Sequence, residues 1–181
     1  MTALLVIIVT VVGSATSIYL FGEEMRSRRS FGWKHMEKLV RKLIAEIHHR
    51  DYTPDLVLGV GRGGAILAGM LAGNLDGVPL AVVDTIIDHS TGTSSAKIRY
   101  PESCPSLKDK SVLIVVGELY SGEDLRQGVE FAKRRHPREI RTATLLTHPA
   151  ASVRPDFVGQ QTDKPLTAPW RLTDRYKEHR V

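Results

Sequence analysis

Apolar and polar positions divide this chain into one long apolar run, one segment with helical period and a series of short apolar blocks separated by polar stretches. Residues Thr2 to Phe21 carry no charged side chain and are rich in Leu, Val and Ile. As a helix they would span roughly 30 Å, about one hydrocarbon thickness. The run predicts a transmembrane helix over 1–22. A cleaved signal peptide is the competing reading, because Gly13-Ser14-Ala15 supplies the small residues of a cleavage site, but no Lys or Arg precedes the run. A buried core helix of this length would show a polar face, whereas only Thr, Ser and Gly interrupt this one. Gly13 and Ser17 stand at the small-xxx-small spacing that lets membrane helices approach. In the linker that follows, 23–32, and just beyond it, Arg26, Arg28, Arg29 and Lys34 outnumber Glu23 and Glu24. That excess predicts an outward N-terminus and a cytoplasmic domain, 33–181, on an inner or plasma membrane.

Past the linker, Met36, Leu39, Val40, Leu43, Ile44 and Ile47 recur at steps of three and four among charged residues, which predicts an amphipathic helix. Tyr52-Thr53-Pro54 ends it, and the apolar block from Asp55 to Val60 predicts a buried strand that runs into glycines and a helix from Ala65 to Leu75. A strand follows at Leu80 to Val83. The polar stretch from Asp88 to Ser106 is long for an ordinary connection, so it predicts a mobile loop with a short hairpin around Ile98. Strands at Val112 to Val116 and Thr142 to Leu146 flank a helix from Gly122 to Arg135. This alternation predicts an α/β fold, a central mostly parallel sheet with helices on both faces. The tail from Pro155, which holds Trp170, reads as irregular.

Composition narrows the function classes only a little. The 25 Lys and Arg exceed the 20 Asp and Glu by five, and they are spread along the chain, so no nucleic-acid-binding arm is predicted. Phosphate-bearing ligands and the bilayer met by residues 2–21 suit this charge. Cys104 is the single cysteine and has no disulfide partner within the chain. His35, His48, His49, His89, His136, His148 and His179 show no zinc spacing.

Gly59-x-Gly61-x-x-Gly64 follows a strand and opens a helix, and Asp84 ends the next strand, so the segment formally satisfies a dinucleotide-binding fingerprint. It equally suits a diphosphate-binding turn, in which glycines admit the phosphates and helix N–H groups hold their charge. A third reading is a tight strand-to-helix turn with no ligand. The Arg inside the turn, one long polar stretch and a second phosphate-type turn at Ser121-Gly122 do not fit two mononucleotide-binding halves.

Several segments together resemble the xanthine-guanine and hypoxanthine branch of the type I phosphoribosyltransferases, in order and in spacing. They are 54–64, Val112-Leu-Ile-Val115, Ser121-Gly122, Arg141 to Ala150, Val153 to Gly159 and Pro169-Trp170, and the resemblance spans 33–172. It implies a site for phosphoribosyl diphosphate held with Mg²⁺, in which Val60, Gly61, Arg62, Gly63 and Gly64 take the diphosphate and Ser121 and Gly122 the 5-phosphate. Lys97 and Arg99 become the candidate cations of the closing loop, with Trp170 and Tyr120 on the base side. A homodimer is left open.

The same comparison marks departures. Val116 and Gly117 stand where the family carries two adjacent carboxylates. Glu118 is one residue late, and alternation along a strand would turn it to the other face unless the strand bulges. Tyr120 replaces the Asp that faces the base, Glu123 and Asp124 stand in the phosphate turn, and Pro165 replaces the ring that stacks on the purine. Two acids beside a dianion repel it, although acids also suit the first turn of a helix. Two functions follow: a membrane-anchored phosphoribosyltransferase with Glu118, Lys97 and Arg99 in catalytic roles, or a non-catalytic module that binds a nucleotide. A dinucleotide-dependent enzyme is the weaker third.

Overall fold

The fold is seen in a computed structural model, which describes residues 29–30, 32–88, 95–99, 104–163 and 166–170. The transmembrane helix expected over 1–22, most of the basic linker, and Pro165 lie outside the described residues. Among the described residues no helix is long and apolar enough to cross a membrane. Two compact units are present: one runs from Trp33 to Asp163 and the other joins 1–32 to 164–181. In the second, strands β1 (Arg29–Ser30) and β8 (Leu166–Thr167) pair in parallel.

The larger unit opens with helix α1 (Trp33–His49), whose Met36, Leu39, Val40, Leu43 and Ile47 are buried. Its opposite face is held by ion pairs one turn apart, Glu37 with Arg41 at 2.7 Å and Glu46 with Arg50 at 2.6 Å. Asp51, at a positive φ of 50°, ends it ahead of Pro54. There follow β2 (Leu56–Val60), α2 (Gly61–Asn74), β3 (Leu80–Asp88), β4 (Ser95–Arg99), β5 (Ser111–Leu119), α3 (Glu123–Lys133), β6 (Glu139–Thr147) and β7 (Phe157–Gln161).

Six strands form one sheet in the order β4-β3-β2-β5-β6-β7, parallel except for the β3–β4 pair. β2 is buried throughout and β5 nearly so, as continuous apolar runs become when helices cover both faces of a parallel sheet. Val60, Ile114 and Val116 pack with Leu125, Phe131 and Ala132 of α3 on one face. On the other face α1 and α2 cover the sheet.

Three expectations change. α2 starts at Gly61 rather than Ala65, so the glycine segment is the first turn of a helix joined directly to the strand. β3 runs on to Asp88, and its antiparallel partner β4 includes Ile98, with Lys97 and Arg99 on a sheet-edge strand rather than in a loop. The tail after Pro155 is not irregular, because Phe157 to Gln161 pairs with β6. Asp156 makes that possible: its carboxylate accepts from the Thr142 amide at 2.8 Å and hydroxyl at 2.7 Å, and its own amide donates to that hydroxyl at 3.0 Å. Asp55 likewise accepts from the Ser111 amide at 2.7 Å and from Arg138 at 2.9 Å. Both clamps sit at the amino ends of strands and leave the carboxyl ends to the site.

Candidate functional site

The chain leaves β2 towards β3 on one side and β5 towards β6 on the other, so the order of the sheet reverses between β2 and β5. In such sheets ligands bind outside the carboxyl ends of the strands at that reversal. Here both strands run straight into helices, α2 after Val60 and α3 after Gly122, and neither helix has a side-chain cap at its N-terminus among the described residues. The first N–H groups of a helix have no partner within it, and the dipole makes that end positive. Two such ends flank the crevice.

Gly61 makes the reversal from strand to helix in one residue at φ 67°, a conformation that disfavours side chains. Arg62 is exposed, Gly63 half-buried and Gly64 buried. A Cβ on Gly64 would run into the carbonyl of Val115, so this glycine serves helix-to-strand packing. Val60 is buried in the α3-side core, which leaves only its backbone for a ligand.

Gly117 has a physical reason to carry no carboxylate. A Cβ there would lie 2.8 Å from the Cα and carbonyl carbon of Gly63, inside any normal contact. Val116, its neighbour, is core. β5 contains no inserted residue, because Val116 pairs with Thr144 and Glu118 with Leu146, the same offset on both sides of Gly117. Yet Leu119 joins the same core cluster as Val116, three residues earlier, so the regular alternation of the strand ends at Gly117 without a bulge. Glu118 is half-buried there.

The second turn is held from the segment that follows β6. The Ser121 carbonyl accepts from the amide and hydroxyl of Ser152 at 3.2 and 2.6 Å, and the Leu119 carbonyl accepts from the His148 amide at 2.8 Å. The Ser121 hydroxyl accepts from the Glu123 amide at 3.3 Å, and Gly122 begins α3 at φ 94°. The two acids of this turn are both engaged. Glu123 receives Arg126 at 2.7 and 2.9 Å. Asp124 bonds the hydroxyl of Thr85, which itself lies beside Gly61. Burial raises the Asp124 carboxyl above the ordinary range, the charge of Glu123 adds to this, and the Thr85 hydrogen bond opposes it.

At the carboxyl ends of β6 and β7 a cavity of about 280 Å³ is lined by Thr147, His148, Val153, Arg154, Val158 and Gln161 among others. Tyr120 is 45% exposed and its ring lies 6.3 Å from that of His148. The His148 Nδ1 accepts from the Ala150 amide at 3.1 Å, which leaves Nε2 as the donor of the neutral ring.

A family model for the phosphoribosyl transferase domain matches residues 32–174. The chain belongs to the phosphoribosyltransferase family. The bifunctional protein PyrR of Clostridium acetobutylicum is 29% identical over 140 residues, 70% of this chain and 79% of that protein. The solved purine phosphoribosyltransferase of Pyrococcus horikoshii is 30% identical, with a TM-score of 0.71 over 81% of this chain and 95% of its own. The Helicobacter pylori xanthine-guanine-hypoxanthine phosphoribosyltransferase shares the fold at 20% identity, TM-score 0.72, over 84% of this chain and 99% of its own. The dinucleotide reading fails on topology as well, because β4 turns back antiparallel where a mononucleotide-binding half needs a parallel crossover.

Among the predicted residues, Val60 to Gly64, Glu118, Tyr120, Ser121 and Gly122 stand at the carboxyl ends of the two central strands. Lys97 and Arg99 belong to the edge strand, Arg99 exposed. Trp170 is half-buried and belongs to the unit formed by the two ends of the chain. Sequence reasoning gave no role to Thr85 or Ser152, which carry no motif, nor to His148, which stood inside a matching segment without one. Among the described residues no three His, Cys, Asp or Glu side chains cluster, and positions 116 and 117 offer no carboxylate. These residues do not fit a Mg²⁺ ion held by the protein.

Gly117→Ala is expected to cost about 1–3 kcal/mol by overpacking against Gly63, read from urea unfolding. Asp124 gives a pH signature. Its folded form binds a proton more readily than the unfolded chain, so its contribution is favourable below the usual carboxylate range and is lost as pH rises through the raised value. Asp124→Asn should therefore leave the melting temperature nearly unchanged in acid and raise it progressively towards neutral pH.

Proposed function

We propose that this protein binds phosphoribosyl diphosphate or a nucleotide at the crevice between β2 and β5, as a ligand-binding module tethered to a membrane by residues 2–21. The observation that carries the reading is the pair of helix N-termini at the reversal of the sheet, neither closed by the side chain of its N-cap residue, joined where Gly117 meets Gly63. Backbone N–H groups of the α2 turn hold the diphosphate, with Arg62 supplying charge. The Tyr120–His148 edge and the cavity behind it take the base, a purine in keeping with the name of the Pyrococcus horikoshii relative.

Phosphoribosyl transfer builds positive charge on the ribose, and carboxylates near the sugar stabilise it. Val116 and Gly117 supply none, and Glu123 and Asp124 are spent on Arg126 and Thr85. The second reading, a working transferase, draws on Glu118, which stands at the crevice end of β5, with Lys97 and Arg99 closing from the neighbouring hairpin.

The test uses the full chain in detergent micelles. Phosphoribosyl diphosphate or a nucleoside monophosphate at about 100 times its Kd should stabilise the fold by about 2.7 kcal/mol, and Gly61→Ala should remove that gain. Labelled phosphoribosyl diphosphate with Mg²⁺ and a panel of bases should give no nucleotide above background. Turnover that disappears in Glu118→Ala would replace the binding reading with the transferase.

The tether is checked separately. The full chain should stay with membranes through alkaline carbonate extraction, and a chain lacking residues 2–21 should be released. Release of the full chain would remove the anchor from the proposal and leave the ligand site standing.

A further inference from the structure

Lys and Arg are spread along the sequence, but the fold gathers six of them at one corner of the larger unit. α3 ends in Lys133, Arg134 and Arg135, and Arg138 follows before β6. The loop ahead of β5 supplies Lys108 and Lys110. Backbone bonds lock these two segments together: the Asp109 amide donates to the His136 carbonyl at 3.0 Å, and the Arg138 amide donates to the Lys110 carbonyl at 2.9 Å. Two acids stand among the six cations, Asp55 paired with Arg138 at 2.9 Å and Asp109, which is exposed. Beside them Arg141 is closed on Glu139 and Asp156. Six cations less two acids leave an excess of four, and counting Arg141 with its two acids leaves three, against five for the whole chain. Lys108, Lys110, Lys133 and Arg134 make no ion pair among the described residues. Cations at the end of α3 suit the negative end of its dipole, whereas Lys108 and Lys110 belong to a loop and have no such reason.

This patch lies at the amino ends of β5 and β6. The crevice lies past the carboxyl end of β5, roughly 26 Å away along the nine residues of that strand. The chain enters the unit at the level of the crevice, because α1 runs antiparallel to β7: His35 bonds Gln160, Lys42 donates to the Val158 and Gly159 carbonyls, and Arg50 lies over the Phe157 ring. The 17 residues of α1 cover roughly 26 Å, and the linker 23–32 reaches at most roughly 33–36 Å when extended. A linker of that reach joins a bilayer to Trp33 while the unit rests on its amino end. We propose that the patch docks on anionic headgroups of the bilayer to which residues 2–21 tether the chain, so that the crevice opens away from the lipid. The inference rests on the tether of the preceding reading and not on the identity of the ligand. Each Lys or Arg at an anionic leaflet strengthens binding about fivefold, so three or four give a dissociation constant on the order of 1–10 mM. A short tether supplies an effective concentration of that same order. It holds a unit already at the surface, whereas the same charges are too few to capture a dissolved polyanion at micromolar concentration. The large apolar side chains exposed among the described residues, Trp33, Leu80, Val82 and Tyr120, all lie outside the patch, so charge rather than insertion makes the contact.

The test reconstitutes the full chain, in a Cys104→Ser background, into phosphatidylcholine vesicles with or without phosphatidylglycerol. A fluorophore is attached through Ser106→Cys beside the patch or through Tyr120→Cys at the crevice end, and a lipid with a nitroxide on its headgroup serves as quencher. With phosphatidylglycerol at low salt the label at position 106 should be quenched and the label at position 120 should not. Quenching at position 106 should fall in pure phosphatidylcholine and again in about 1 M salt, where the screening length is about 3 Å. Lys133→Glu combined with Arg134→Glu should lower the ratio of docked to undocked chains at least about 20-fold, with circular dichroism and carbonate extraction unchanged. The salt arm needs no substitution and decides the matter if that variant fails to fold. In a chain that resists carbonate extraction, a label at position 106 that stays bright, quenching there that ignores lipid charge and salt, or quenching at position 120 instead would overturn the docking and leave the tether standing. A chain that carbonate releases loses the tether, and the docking with it. Capture of a duplex oligonucleotide at micromolar concentration by the full chain in neutral micelles, abolished by the double variant, would give the patch to a nucleic acid and overturn the proposal.

Discussion

The first turn of α2 lies directly against β5, backbone to backbone, and most of what is distinctive in this molecule follows from that contact. Gly64 meets the Val115 carbonyl and Gly117 meets Gly63, with no room at either place for a single carbon. The approach brings the positive end of α2 to the point where the sheet reverses, and it makes a rigid floor for the crevice. Rigidity is what an anion site made of N–H groups requires, because donors fixed in place pay no ordering cost when the ligand arrives. The same contact bars a carboxylate from position 117. Departure from the family pattern there is thus built into the packing.

Charge is arranged to spare the crevice. The acids of the α3 turn are engaged locally, Glu123 by Arg126 and Asp124 by the Thr85 hydroxyl, while burial shifts the Asp124 carboxyl towards its protonated form. Asp55 and Asp156 clamp the amino ends of the strands, on the far edge of the sheet. An anionic ligand at the carboxyl ends therefore meets helix N-termini, Arg62 and the His148–Arg154 edge, with the nearby carboxylates already engaged. Coulombic repulsion falls when a carboxylate is paired or protonated, and Asp124 has moved in that direction.

The topology also explains why α2 is the odd helix. Packing a Gly-rich helix this tightly on β5 needs small residues on its inner side, and the same residue types continue around its outer side. Helix propensity does not favour such a composition, since each glycine costs up to about 1 kcal/mol relative to Ala. Tertiary contact on the sheet holds the inner side, and the outer side is left with Gly69 and Gly73 exposed.

What the sequence determined by itself is what rests on local periodicity and on segments held in register. The three-and-four spacing from Met36 to Ile47 fixes α1, the unbroken apolar runs of β2 and β5 mark central parallel strands, and six separate segments agree with one family. Each signal is carried by neighbours along the chain. Tertiary structure decided the rest. Gly61 to Gly64 read as a loop because glycine disfavours helices, and only β5 beneath them makes that turn helical. Phe157 to Gln161 carries two glutamines and no alternation, and its pairing with β6 depends on the Asp156–Thr142 clamp. The purpose of Gly117, the Thr85 bond to Asp124 and the placing of His148 beside Tyr120 all join residues far apart in sequence. Their distances are set by packing, and no local pattern records them.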